Sequence, residues 1–235
     1  MFELIDLKKE LKSKASVKKS KNLQRFFKTE PGEYGERDIF LGIKVGDLRK
    51  IAEKYKNLSL KGIEKLLYSK IHEERLVALL ILVQKFQTDD ERLKEKIFKL
   101  YLKNTNYINN WDLVDLSADK IIGEYLSDKP REVLYKLAMS KNLWERRIAI
   151  MSTFQFIKNN EFKETLKILE MLLEDGHDLI HKAAGWMLRE IGKRSLETEE
   201  KFLKKHYQKM PRTMLRYAIE RFPEKRRQAY LKGKI

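Results

Sequence analysis

Apolar residues recur at i, i+3, i+4 and i+7 along almost the whole chain, the spacing that draws one stripe down an α-helix. The pattern predicts helices over 2–14, 17–28, 46–56, 60–69, 72–86, 90–103, 110–126, 130–139, 142–157, 161–174, 177–192, 196–208 and 211–221. No convincing run alternates apolar and polar residues as a half-buried strand would. Only four prolines and ten glycines punctuate the chain. The one long irregular stretch is 28–38, KTEPGEYGERD, which reads as a turn-rich loop around Gly32 and Gly35.

Short connectors make neighbouring helices antiparallel hairpins. The second helices of successive pairs also look alike. Glu74-Arg75-Leu76-Val77-Ala78-Leu79, Trp144-Glu145-Arg146-Arg147-Ile148-Ala149-Ile150 and Ile180-His181-Lys182-Ala183-Ala184-Gly185-Trp186 each open on charge and continue with small or branched apolar residues. With the Trp111–Asp115 segment they recur at spacings in the thirties, the loose signature of HEAT-like repeats. The expected fold is therefore all-α: a curved superhelical array of antiparallel HEAT-like repeats, an α-solenoid with a concave surface. Residues 1–235 are read as a single repeat domain.

Charge changes the picture next. The chain has 51 Lys and Arg against 35 Asp and Glu, a formal net charge of +16. A thermophile-like surface would explain many charges but not this imbalance; a nucleic-acid partner explains it directly. Residues 201–235 hold twelve Lys and Arg against Glu220 and Glu224, so most of the excess lies in the last section. That section reads as a phosphate contact with steep salt dependence. The absence of cysteine excludes disulfides, iron–sulfur clusters and thiolate nucleophiles. With no apolar run of membrane-spanning length and no signal-like N-terminal segment, a cytoplasmic protein without membrane contact is expected.

The candidate chemistry centres on Asn110-Trp111-Asp112-Leu113-Val114-Asp115. Asn110 is a good N-cap. Trp111 and Asp115 stand four residues apart and share a helix face, an indole beside a carboxylate on a very basic protein. A core tryptophan is the ordinary outcome, but an ionised Asp on the same face is almost never buried unpaired, so a cleft wall suits both. Asp112 reads as a first-turn acid favoured by the helix dipole. Of the adjacent Arg146 and Arg147, one can face solvent while the other turns inward; Arg147 is equally suited to pairing with Asp115 or to clamping a phosphate. His177 and His181 have i, i+4 spacing, but no third ligand accompanies them and no metal site is assigned.

The chain resembles the AlkD-type DNA alkylation-repair glycosylases, a family of HEAT-like repeats. The likeness runs through Phe26-Phe27-Lys28-Thr29, Pro31-Gly32-Glu33-Tyr34-Gly35-Glu36, Phe40-Leu41-Gly42-Ile43, Trp111-Asp112-Leu113-Val114-Asp115, Trp144-Glu145-Arg146-Arg147 and Lys182-Ala183-Ala184-Gly185-Trp186-Met187-Leu188-Arg189-Glu190, over about residues 20–210. Gly46 departs from the pattern, which commonly has proline there, and alters the start of one helix. The resemblance implies that Asp115, Trp111 and Trp186 line the lesion site and that Arg147 contacts the DNA backbone. Arg146, Lys182 and Arg189 in the same motifs, with Arg212 and Arg216 in the basic section, are further candidate DNA contacts. It implies duplex DNA containing alkylated bases as the partner, 3-methyladenine and 7-methylguanine as released bases, and no cofactor; a monomer is the simplest state.

That chemistry suits these residues. A purine alkylated on N3 or N7 is a cation and leaves neutral, so one carboxylate can serve where ordinary glycosidases use two. Without Cys or a placed lysine nucleophile, a monofunctional glycosylase is expected, leaving an abasic site. The competing reading is a non-catalytic HEAT-repeat nucleic-acid-binding or scaffold protein, since fold alone does not make an enzyme.

Overall fold

The computed structural model describes residues 2–87 and 90–235 and follows the apolar stripe closely. Among the described residues there is no strand, and an isolated parallel bridge joins Ile39 to Ile71. The protein is all-α. Two compact units divide it, residues 1–121 and 122–235. Among the described residues no helix is long and apolar enough to cross a membrane.

The first unit contains helices Phe2–Ser13, Val17–Phe26, Val45–Lys54, Leu60–Leu67, His72–Phe86, Glu91–Lys103 and Trp111–Asp115. His72–Phe86 is its axis. Every residue from 72 to 82 of this helix is buried, because helices Phe2–Ser13, Val45–Lys54, Leu60–Leu67, Glu91–Lys103 and Trp111–Asp115 pack around it. The loop before it is tied down by backbone bonds from Ile39 N–H to the Lys70 carbonyl (3.1 Å) and from His72 N–H to the Ile39 carbonyl (2.8 Å). Buried Glu73 accepts the N–H groups of Leu41, Gly42 and Ile43 at 2.9, 2.8 and 3.2 Å. Gly42 is required there: its φ is +85°, and a Cβ would lie 2.4 Å from the Ser16 carbonyl oxygen. The 28–38 loop is turn-rich as expected, with Lys28, Gly32 and Arg37 all at positive φ. Gly46 lies in the first turn of Val45–Lys54, whose start has no side-chain cap.

The second unit contains Glu132–Ala138, Leu143–Ser152, Phe154–Lys158, Lys163–Met171, Asp178–Gly192, Leu196–His206, Arg212–Ala218 and Glu224–Leu231. Asp178–Gly192 is the hub, packed on Leu143–Ser152, Lys163–Met171, Leu196–His206 and most extensively Arg212–Ala218. In both units the second helices of the pairs start at residues 72, 111, 143, 178 and 212, intervals in the thirties that match the sequence repeat.

Two expected helices differ, and one helix is additional. The 110–126 helix stops after Asp115 and continues as a π-helical turn at Asp119–Gly123. Ser117 causes the break: its hydroxyl donates to the Leu113 carbonyl, and its N–H goes to Val114 three residues back. The 142–157 helix is interrupted at Thr153, where the Ser152 and Thr153 hydroxyls each donate to a carbonyl of the preceding turn, those of Ile148 and Ile150, at 2.7 Å. Helix Glu224–Leu231 was not expected at all. Half of its residues are charged, and the single buried residue Tyr230 anchors it edge-on to Tyr207 and Phe222.

Candidate active site

The helix Trp111–Asp115 is one turn long. Asn110 caps it as expected, its Oδ1 accepting the Trp111 N–H at 2.8 Å. Asp112, Leu113 and Val114 are buried, while Trp111 and Asp115 are partly exposed. The i, i+4 pair is thus the part of the turn that reaches solvent. Below it, the Tyr101 hydroxyl meets Ser117 Oγ at 2.9 Å. Burial pushes the Tyr101 hydroxyl far above its ordinary pKa, opposed by the Ser117 bond and reinforced by the charges of Asp119 and Asp115, so the ring stays neutral beside the carboxylates.

Asp112 is the first-turn acid that its position implied, and it is also buried and paired. Its Oδ1 accepts the Leu113 N–H at 2.9 Å, and its Oδ2 lies 2.8 Å from His72 Nε2. The other ring nitrogen, Nδ1, is 3.1 Å from Asp38 Oδ2. Asp38 also accepts Arg75 Nη2 at 2.6 Å and Asn110 Nδ2 at 3.3 Å. All five side chains are buried. Burial opposes charge on His72, but Asp112 and then Asp38 outweigh it and hold its pKa up at about 9. Burial likewise penalises the Asp38 carboxylate, and the His72 bond and Arg75 more than offset this, keeping its pKa low.

Aromatic rings complete the support. His72 stacks on Phe40 with centroids 4.4 Å apart, Phe40 on Phe27 at 4.9 Å, and Phe27 on Trp111 at 5.1 Å. Phe26, 63% exposed, meets the edge of Trp111 at 5.8 Å and adds an apolar surface beside it. Sequence reading missed His72, Asp38 and the role of Phe26. The signal was weak, since His72-Glu73-Glu74-Arg75 looks like an ordinary charged first turn.

In the second unit Trp186 is partly exposed and donates Nε1–H to Glu190 Oε1 at 3.1 Å, a carboxylate that also holds Lys193 at 2.5 Å. Gly185 lets the helix approach Arg212–Ala218: a Cβ there would sit 2.4 Å from the Met214 carbonyl oxygen. The two arginines divide as expected. Arg147 turns inward, 4% exposed, and donates Nη1 to the Leu179 carbonyl in the first turn of Trp186's helix. Arg146 is partly exposed and grips Asp175 and the carbonyls of Ser140 and Lys141. Lys182 pairs with Asp178 at 2.8 Å, Arg189 pairs with Glu220, and Arg212 and Arg216 are exposed on the last-packed helix. His177 caps the same helix, its Nδ1 accepting the Leu179 N–H, and His181 within it bonds the preceding Asp175 carbonyl through Nε2. Among the described residues no group of three or more His, Cys, Asp or Glu is placed to hold a metal.

A family model of DNA alkylation repair enzymes matches residues 7–222, from the first helix to the end of the last pair. The chain belongs to that family. A solved structure described as a predicted DNA alkylation repair enzyme from Enterococcus faecalis superposes with a TM-score of 0.70 at 16% identity, covering 90% of this chain and 98% of that one. At that identity the likeness speaks for the fold. No curated protein sequence matches the chain. As a member of the DNA alkylation repair family the protein has a role in DNA repair, with DNA as its substrate. Both the Trp111–Asp115 turn and Trp186 fall inside the matched region.

Proposed function

We propose that the protein is a monofunctional DNA glycosylase that hydrolyses the N-glycosidic bond of cationic N-alkylated purines in duplex DNA. The observation that carries this reading is the Trp111–Asp115 turn, whose only solvent-reaching side chains are one indole and one carboxylate. A purine alkylated on N3 or N7 departs neutral when the bond from C1′ breaks, leaving positive charge on the sugar. Asp115 stabilises that oxocarbenium-like sugar and orients the attacking water, whose proton it accepts as the new C1′–O bond forms. Trp111, on the same turn, offers its π face to the same developing cation. The base leaves and an abasic site remains; the strand is not cut.

Lys182, Arg189, Arg212 and Arg216 hold phosphates in this reading, and these contacts set the register rather than read the sequence. Arg146 and Arg147 contribute from beneath, Arg147 by fixing the start of the helix that bears Trp186. The test is release of 3-methyladenine and 7-methylguanine from methylated duplex DNA. Asp115→Asn changes charge with little change in volume, so excision should fall about 10²–10⁴-fold while DNA affinity holds. Equal release by wild type and variant refutes the role of Asp115. No release from wild type that binds DNA tightly favours a non-catalytic DNA-binding protein.

A further inference from the structure

We propose that His72 is a positioning residue: clamped between Asp38 and Asp112, it fixes the one-turn helix that presents Trp111 and Asp115. The consequence for excision rests on the glycosylase reading; the clamp itself rests on geometry.

Both imidazole nitrogens face carboxylate oxygens, Nδ1 to Asp38 at 3.1 Å and Nε2 to Asp112 at 2.8 Å. A carboxylate only accepts, so both nitrogens must carry hydrogen and the ring is an imidazolium. With Arg75 on Asp38 at 2.6 Å, the buried set holds two cations and two anions and is neutral as a whole. On the same helix Arg75 opposes charge on the ring but is itself held on Asp38. Glu73 is turned to the amides of residues 41–43, and Glu74 to Lys8 at 2.7 Å. From the other elements packed on the ring come Phe40 and Phe27, at 4.4 and 5.2 Å, whose faces favour a cation. Asn110 reaches the clamp through Asp38.

The mechanical link is short. Asp112 is the residue after Trp111, and Phe27 stacks on Trp111 while its tilted ring meets His72 at 5.2 Å. Loss of one ring proton turns a lone pair toward one of two buried carboxylates, and that carboxylate must move or take up a proton. When Asp112 moves, the turn between Trp111 and Asp115 moves with it. The high pKa of His72 keeps the clamp closed through neutral pH and opens it above about 9.

The experiment needs no substrate for its first half. Imidazole nitrogen resonances of ring-labelled protein report the protonation of His72, and the indole N–H resonance of Trp111, assigned with Trp111→Phe, reports the site. Both should titrate together near pH 9, and in Asp112→Asn the shared midpoint should drop by about one unit or more. Single-turnover excision should show the same midpoint and the same drop, with DNA affinity flat across the range. A Trp111 resonance that ignores the His72 titration overturns the proposal, even if Asp112→Asn fails to fold. So does an alkaline limb of excision unmoved in Asp112→Asn. Absence of excision in wild type instead sinks the glycosylase reading, while the two resonances still decide the clamp.

Discussion

Consider Gly185→Ala, the smallest change at the most extensive helix contact in the second unit. Two effects oppose each other. Alanine is the better helix former by about 0.8–1.0 kcal/mol, which favours the variant. Against this, the new Cβ would lie 2.4 Å from the Met214 carbonyl oxygen, 2.6 Å from Tyr217 Cβ and 3.2 Å from Ala218 N. Carbon atoms rest at about 3.5–4.0 Å, so the two helices must part by roughly 1 Å. The obstacle is backbone, which cannot rotate away. The interface being opened is also dry: Ala183, Ala184, Met214 and Ala218 are fully buried. Overpacking of this kind costs about 1–3 kcal/mol, and a backbone obstacle argues for the upper end. The steric effect wins, with a net destabilisation of about 2 kcal/mol and a melting temperature about 4–8 °C lower. Circular dichroism melts of both proteins at equal concentration measure it. Because Trp186 follows directly, excision should weaken more than DNA affinity. A variant that melts at or above the wild-type temperature would falsify the claim that this glycine exists for close helix approach.

Other perturbations probe different parts of the molecule. Glu199 is buried against Gly192, and burial, then Glu200, raise its pKa to about 8 against the pull of Arg189. A raised folded pKa stabilises at low pH and loses that stability as pH climbs. Between pH 5 and 8.5 the wild type should therefore lose on the order of 4 kcal/mol that Glu199→Gln keeps, read by urea unfolding at each pH. Parallel pH profiles would show that Glu199 ionises freely. Charge reversal is not needed to test the phosphate contacts: Arg212→Ala with Arg216→Ala should lower DNA affinity and reduce the slope of log K against log salt by about 2. An unchanged slope places those arginines away from the phosphates.

What was legible in the sequence is what local periodicity encodes. The helices, their pairing at intervals in the thirties, the Asn110 cap, the 28–38 loop and the small residues before Trp186 all follow from neighbours within a turn or two. The partition of Arg146 and Arg147 between surface and interior was equally local, because adjacent helical residues point about 100° apart. Family resemblance added proposed roles for Trp111, Asp115 and Trp186, which spacing alone left beside a core reading.

Tertiary structure decided the rest. His72 meets partners 34 and 40 residues away, and Asn110 meets Asp38 across 72. No window of sequence contains such a set, and four charged or polar residues opening a helix look solvated until the surrounding helices cover them. The break after Asp115 depended on Ser117 turning its hydroxyl inward to Leu113 and Tyr101, and helix Glu224–Leu231 depended on one tyrosine finding a dry seat. Periodicity says which face of a helix is buried. Only packing says whether a charged residue on the other face is buried too, because its cost is cancelled by partners that the chain brings from far away.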